Sequence, residues 1–213
     1  MHLTRALNNV LKFGEHDLIL IGGGDWNDAL DAVGLSNKGE SVWLTQFCYM
    51  TLKKFVNYVD NDTRIKYIAY IERMREAVNT FGYDGKWFRR IYTDRGEWLG
   101  SRTSDVCKID LLSQAFAVLS EIGDKDKTEQ AIESAKSLID YENGYIKLLD
   151  PAFDDSKWFG YICAYPRGVR ENGGQYAHAA IWYIMALFRM GRIDEGYALL
   201  KMINPIEKCR NRN

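Results

Sequence analysis

Several signals are missing from this sequence, and each absence removes a class of protein. Four cysteines, Cys48, Cys107, Cys163 and Cys209, lie far apart and form no Cys-x-x-Cys pair. A disulfide scaffold would be denser in cysteine, so reduced thiols are expected. Three histidines without metal-ligand spacing give no zinc signature, and no metal site is expected. Lys plus Arg number 28 against 29 Asp plus Glu, a formal charge of -1, which offers nothing for a nucleic-acid backbone. The short basic clusters Arg89-Arg90 and Lys208 to Arg212 read as solvated surface. No apolar run approaches the roughly 20 residues of a membrane-spanning helix. Near Arg5 the chain turns at once to the mixed segment Ala6-Leu7-Asn8-Asn9, unlike a signal peptide. No membrane association and a cytoplasmic location are the expectations.

What is present is a chain of 213 residues, 46% apolar and 27% charged, long enough for one substantial core. Six tryptophans and thirteen tyrosines are many for this length. The most informative stretch is Gly22-Gly23-Gly24-Asp25-Trp26-Asn27-Asp28, which follows the apolar run Leu18 to Ile21. Glycines open backbone angles closed to other residues. Carboxylates beside an indole suit a carbohydrate site: a flat face for the sugar ring and an acid for the glycosidic oxygen.

Most of the chain has helical periodicity. Leu3, Leu7, Val10 and Leu11 predict a helix from about Leu3 to Phe13, ended by Gly14, and a long loop follows to about Lys38. Ser41 can cap a second helix reaching Asp60. Thr63 or Asp62 can cap a third, whose apolar positions from Ile65 to Val78 keep a 3.6-residue period and which stops before Gly82. Lys86 to Trp98 reads as a small two-stranded excursion turning at Asp94-Arg95-Gly96. Helices are expected at Asp110 to Ile122, Lys125 to Leu138, Gln175 to Met190 and Asp194 to Met202. Asn204-Pro205 stops the last of these. A hairpin of helices thus recurs over Ser41 to Gly82, Asp110 to Leu138 and Gln175 to Met202. The long intervening loops would collect at one end. The fold class is all-α: an αα-barrel or toroid of helical hairpins, with an irregular bundle as the alternative.

The loops also carry a resemblance. Gly23-Gly24-Asp25-Trp26-Asn27-Asp28, Gly39-Glu40-Ser41-Val42-Trp43-Leu44, Gly100-Ser101 with Ile109-Asp110, Tyr165-Pro166 through Glu171-Asn172-Gly173-Gly174-Gln175-Tyr176-Ala177-His178-Ala179-Ala180, and the tail Asn204-Pro205-Ile206 match in order. The set resembles the inverting glycoside phosphorylases that include cellobiose and chitobiose phosphorylases. There is a closer likeness to the phosphorylase region of cyclic β-1,2-glucan synthases and to β-1,2-oligoglucan phosphorylases. The resemblance implies an (α/α)6 catalytic barrel. It also implies cleavage of a β-glucosidic bond by inorganic phosphate, with inversion, to give α-glucose 1-phosphate. No metal or organic cofactor is implied; phosphate is the co-substrate. By the same match Asp28 is the general acid, Trp26 lines the subsite of the reacting glucosyl unit, and His178 contacts phosphate. Members of the family are longer. They carry a β-sandwich domain, further barrel helices, an Arg and an Asp on the sugar and a Thr-Gly loop on the phosphate. On that comparison residues 1–213 form one partial barrel of about seven helices out of twelve. Negligible turnover alone and self-association, or a partner chain completing the barrel, are then expected.

The chemistry agrees with that likeness. An inverting displacement needs an acid on the leaving oxygen and a nucleophile on the opposite face. Phosphate is already a nucleophile, so the second role becomes anion positioning. The acid must hold its proton near neutral pH, which apolar contact or a like charge secures, and Asp25 is the nearest like charge to Asp28. Asp25, Glu171 and Gln175 are placed to bind substrate. Other readings stand beside these. Asp25 can cap the segment that follows it. Trp26 can be core and His178 a structural histidine. Glu171 can brace the Gly173-Gly174 turn through backbone donors, and Glu40 can accept from first-turn amides. Arg167 and Arg170 suit either an anion or plain surface. A saccharide-binding module without turnover, and an inverting hydrolase with Glu171 as base, are the competing functions.

Overall fold

The structure is a computed structural model, and it describes residues 2–210. The chain opens with α1 (His2–Val10), which buries none of its residues and stops short of Phe13. Phe13 instead bridges to Ile19 as the chain doubles back into β1 (Ile19–Leu20). After a long loop come β2 (Glu40–Ser41) and α2 (Val42–Phe55). Ser41 caps α2 as expected, its Oγ accepting from the Leu44 amide at 3.0 Å. A 3₁₀ turn at Val56–Tyr58 closes α2 before the expected end at Asp60.

Asp60, not Asp62 or Thr63, caps α3 (Asn61–Thr80), because the chain has already turned by Val59. Its carboxylate accepts from both the amide and the hydroxyl of Thr63, at 2.9 Å each. The expected excursion is the hairpin of β3 (Ile91–Tyr92) and β4 (Trp98–Leu99). It does not stand alone. β1 and β2 extend it into one antiparallel sheet in the order β1-β2-β3-β4.

The chain then runs through β5 (Ile109–Asp110), α4 (Leu111–Leu119) and α5 (Lys125–Ala135). Three short strands follow: β6 (Ile139–Asp140), β7 (Tyr145–Ile146) and β8 (Leu149–Asp150), where β6 pairs with β7 and β8 with β5. The last elements are α6 (Ala177–Arg189), α7 (Ile193–Ile203) and α8 (Pro205–Arg210). Asn204-Pro205 ends α7 as expected, but Pro205 also starts α8. At a first helical position its missing amide hydrogen costs nothing. The tail read as basic surface up to Arg212 lies outside the described residues from 211 onward.

The three expected hairpins are α2/α3, α4/α5 and α6/α7. α4 packs between α2 and α6, while α3, α5 and α7 each lie against their own partner, so the helices form two layers. Phe116 on α4 locks the first layer. Its ring meets Trp43 of α2 at 5.3 Å and Trp182 of α6 at 5.0 Å. Burying a side chain of that kind stabilises by roughly 1.5–3 kcal/mol. This predominantly helical, hairpin-built architecture is consistent with the (α/α) toroid that the resemblance implied.

The N-terminal ends of α2, α4 and α6 come together. Leu111, at the start of α4, donates to Leu148 O (2.8 Å), and Leu148 donates to Gly174 O (2.9 Å) just before α6. The long segments before α2, α4 and α6 therefore lie at one end, as the hairpin pattern required. They are not slack. Ile21, Leu30, Val33, Ile91, Leu149, Phe153, Phe159 and Ile162 give them an apolar cluster of their own. That cluster fixes the loops that carry the expected site residues. No helix among the described residues is long and apolar enough to cross a membrane.

Candidate active site

The loop after β1 needs its glycines. Gly22 has φ +57° and Gly24 φ +140°, angles that side-chain-bearing residues rarely adopt. Beyond them the loop alternates direction. Asp25 and Asn27 turn inward, while Trp26 is half-buried and Asp28 exposed.

Asp25 goes to a buried ion cluster and not to an open cleft. Its two oxygens accept from both ends of the Arg90 guanidinium, at 2.5 and 2.6 Å, and neither side chain is exposed at all. The Ser41 hydroxyl donates to Oδ2 at 2.7 Å, and the Asn27 amide donates to Oδ1 at 3.0 Å. Burial opposes the charge, but the Arg90 guanidinium and these donors win and hold the Asp25 carboxyl below its usual range. Asp25 thus does cap the segment after it. Its charge is cancelled by Arg90, so it does not supply the like charge expected beside Asp28, and its side chain is fully buried where a substrate contact was expected.

Arg90, read from sequence as surface, is among the largest fully buried side chains. Its Nε lies 3.4 Å from Asp110 Oδ2, itself buried. Asp110 also caps α4, with Oδ1 accepting from the Leu112 amide at 2.8 Å. Burial pushes the Asp110 carboxyl up to about 6, against the pull of Arg90. A side chain at Gly100 would collide with the Arg90 main chain, its Cβ 2.4 Å from the Arg90 nitrogen, and φ there is +76°.

The outward residues form a different surface. The Trp26 indole meets Tyr176 at 5.1 Å, Trp182 at 5.5 Å and His178 at 6.0 Å, all edge to face. His178 stacks on Trp182 at 5.9 Å and 25°. The two residues expected at the sugar and the phosphate are thus brought together. His178 is exposed in the first turn of α6, whose N-terminus no side chain caps. Such a terminus keeps free amides and a partial positive charge.

Asp28 stands against the hydroxyl of Tyr161. Burial, and then the hydrogen bond to Asp28, push the Tyr161 phenol up to about 12. Tyr161 meets Tyr165 at 5.9 Å, and the Arg170 guanidinium lies 4.8 Å from the Tyr165 ring. Arg170 Nε is 3.3 Å from the buried Glu171 carboxylate, whose Oε2 makes no hydrogen bond among the described residues. Burial and the Glu171 charge raise the Tyr176 phenol. Contacts thus run from Asp28 through Tyr161, Tyr165 and Arg170 to Glu171, whose charge is felt at Tyr176, and Tyr176 meets Trp26 and His178.

The remaining expected residues are also accounted for. Gln175 is exposed, and its Oε1 accepts from the Ile146 amide at 3.3 Å, tying it to β7. The Gly173 amide bonds the Glu171 main-chain oxygen, so the carboxylate does not brace that turn. Glu40 braces a loop, but from the other side: it accepts from His16 N (2.9 Å) and Nδ1 (2.5 Å) and not from the start of α2. Arg167 pairs with Asp154 at 2.9 Å. Sequence reading missed Arg90, Tyr161 and Trp182. Trp182 was open to inference, because it lies one helical turn after His178 on the same face. Among the described residues no group of three or more His, Cys, Asp or Glu could hold a metal ion.

The sequence profile of the glycosyl hydrolase 94 superfamily catalytic domain matches residues 1–213. The chain belongs to this family. It is 38% identical over 212 residues to the cyclic beta-(1,2)-glucan synthase NdvB of Rhizobium meliloti (strain 1021), covering 96% of this chain and 8% of that protein. It is 32% identical over 208 residues to the solabiose phosphorylase of Paenibacillus borealis (95% and 27%). It is 28% identical over 191 residues to the N,N'-diacetylchitobiose phosphorylase of Vibrio proteolyticus (85% and 23%). The resemblance to inverting glycoside phosphorylases is therefore homology. The chain spans 27% or less of the length of these relatives.

Proposed function

We propose that this chain forms one wall of a glycoside phosphorylase active site acting on β-glucan oligosaccharides. The observation that carries this is the placement of Trp26 and Asp28 on one loop, with the His178 ring 6.0 Å from the Trp26 ring. Asp28 donates its proton to the glycosidic oxygen as the C1–O bond breaks. Phosphate, held by His178 and the uncapped α6 terminus, forms the new C1–O bond from the opposite face and gives α-glucose 1-phosphate. The released alcohol keeps the proton from Asp28, and the phosphate proton or solvent restores it. Trp26 and Tyr176 offer apolar faces to the reacting sugar, with the buried Glu171 carboxylate behind them beside Arg170. The β-1,2 linkage is favoured by the 38% identity to the glucan synthase.

One wall is not a closed site. Asp28 is exposed, and a general acid works best in a water-excluded, preorganised setting. The chain alone should bind sugar and phosphate with negligible turnover. A product assay with a β-1,2-glucan oligosaccharide separates the readings. A trace of phosphate-dependent glucose 1-phosphate, collected at high protein concentration over a long incubation and lost in Asp28→Asn, marks a phosphorylase. Phosphate-independent reducing sugar marks a hydrolase with Glu171 as base, and would overturn the assignment. Sugar binding that ignores both phosphate and Asp28→Asn, with no product, marks a binding module and would overturn it equally.

A further inference from the structure

The loop that carries Asp28 and Trp26 is packed from Ala29 onward, where Ala29, Leu30 and Val33 are buried, and is open at its glycine-rich start. Gly22, Gly23 and Gly24 have no side chains, and a Cβ at Gly22 or Gly23 would meet nothing within 4 Å. The first side chain after them is Asp25, which the Arg90 fork grips by both oxygens. The grip is itself anchored. Arg90 Nη1 also donates to Ser41 Oγ at 3.2 Å, and Nε faces Asp110 at 3.4 Å. Ser41 and Asp110 are the N-caps of α2 and α4. One guanidinium therefore ties the loop to the ends of two packed helices.

We propose that Arg90 is the positioning residue of the acid-bearing loop: by pinning Asp25 against the caps of α2 and α4, it sets where Trp26 and Asp28 stand. The proposal rests on the functional reading only for what the loop positions, not for the grip itself. A planar five-donor fork is required, because a lysine ammonium in the same place reaches Asp25 as a point charge and cannot hold both oxygens in one plane. The Asp25 side chain is three residues from Asp28, so a change of its angle is carried to the acid over the short stretch of backbone between the Arg90 grip and the buried Ala29 and Leu30. Misplacement of a reacting group by about 1 Å can cost on the order of a hundredfold in rate.

The test is fluorine NMR of the chain carrying 5-fluorotryptophan, with the Trp26 line assigned from Trp26→Phe. Arg90→Lys should shift and broaden the Trp26 line while the lines of Trp43, on α2, and of the exposed Trp158 stay in place. In parallel, affinity for α-glucose 1-phosphate should fall about tenfold or more, as mispositioned site groups do. Asp25→Asn, which leaves Arg90 countered by Asp110, serves if Arg90→Lys fails to fold and should displace the Trp26 line in the same way. An unmoved Trp26 line in folded variants overturns the proposal. So does a Trp43 line that moves as far, since Arg90 would then support the fold at large. If the wild-type chain ignores glucose 1-phosphate, the functional reading fails, and the Trp26 line still decides the role of Arg90.

Discussion

The N-terminal ends of α2 and α4 and that of α6 lie side by side but are finished in opposite ways. Ser41 and Asp110 cap the first two and join Asp25 around the buried Arg90. α6 has no side-chain cap and presents an exposed His178 among aromatic rings. The closed end spends its polar groups on one another, which fixes geometry and leaves nothing for a ligand. The open end leaves donors and ring faces unspent, which is what binding requires. Substitutions at the first end should therefore act on stability and loop position, and those at the second on binding alone.

The largest effect should come from Arg90→Met, which leaves Asp25 and Asp110 buried without their counter-ion. A loss of about 3–5 kcal/mol is expected from the urea midpoint, as for other broken buried pairs. A loss under about 1 kcal/mol would mean that the cluster is only a surface-like pair and would erase the contrast.

Next is the pH dependence of the same cluster. Asp110 is raised from 3.8 to about 6 in the folded chain. Between those values the folded state holds a proton that the unfolded state has released, so this group's contribution to stability falls as pH rises and levels off above about 6. The drop is on the order of 3 kcal/mol at most. Asp25, held low, acts with the opposite sign: its contribution is present above the unfolded value near 3.8 and fades as pH falls through its depressed folded value. Asp110→Asn keeps the cap and removes the first component. The difference between wild-type and variant melting curves should therefore change between pH 4 and 6 and be flat from pH 7 to 8.

Smaller effects grade the two kinds of cap. Ser41→Ala should cost about 1–2 kcal/mol, because it removes both a cap and a bond to Asp25. Asp60→Ala, at an exposed cap with no tie to the site, should cost less stability than Ser41→Ala and leave sugar binding unchanged. Equal stability losses with equal binding losses would deny any link between the caps and the loop. The smallest stability effect belongs to His178→Ala, within about 0.5 kcal/mol for an exposed side chain, with weakened phosphate binding read by calorimetry.

The open end was legible in the sequence and the closed end was not. Trp26, Asp28 and His178 stand in the runs that carry the family resemblance, and their proposed roles come from that match. The helical hairpins were equally plain, because apolar residues from Ile65 to Val78 or Ala177 to Phe188 repeat at the helical period. Arg90 gave no such signal. Its partners lie 65 residues upstream at Asp25 and 20 downstream at Asp110, and nothing local distinguishes a buried arginine from a solvated one. The sheet was reduced to a hairpin for a similar reason: β1 and β2 have two residues each, too few to show alternation. The cap of α3 was misplaced by two or three residues, at Asp62 or Thr63 where Asp60 caps, because a 3₁₀ turn and not residue type decides where that helix begins.

Titration of the chain with α-glucose 1-phosphate by calorimetry tests most directly whether the open end is a joint sugar and phosphate site. The expected result is binding that both Trp26→Ala and His178→Ala weaken at least tenfold, and that glucose alone does not reproduce. Glucose 1-phosphate binding no more tightly than glucose, or binding indifferent to both substitutions, would contradict it.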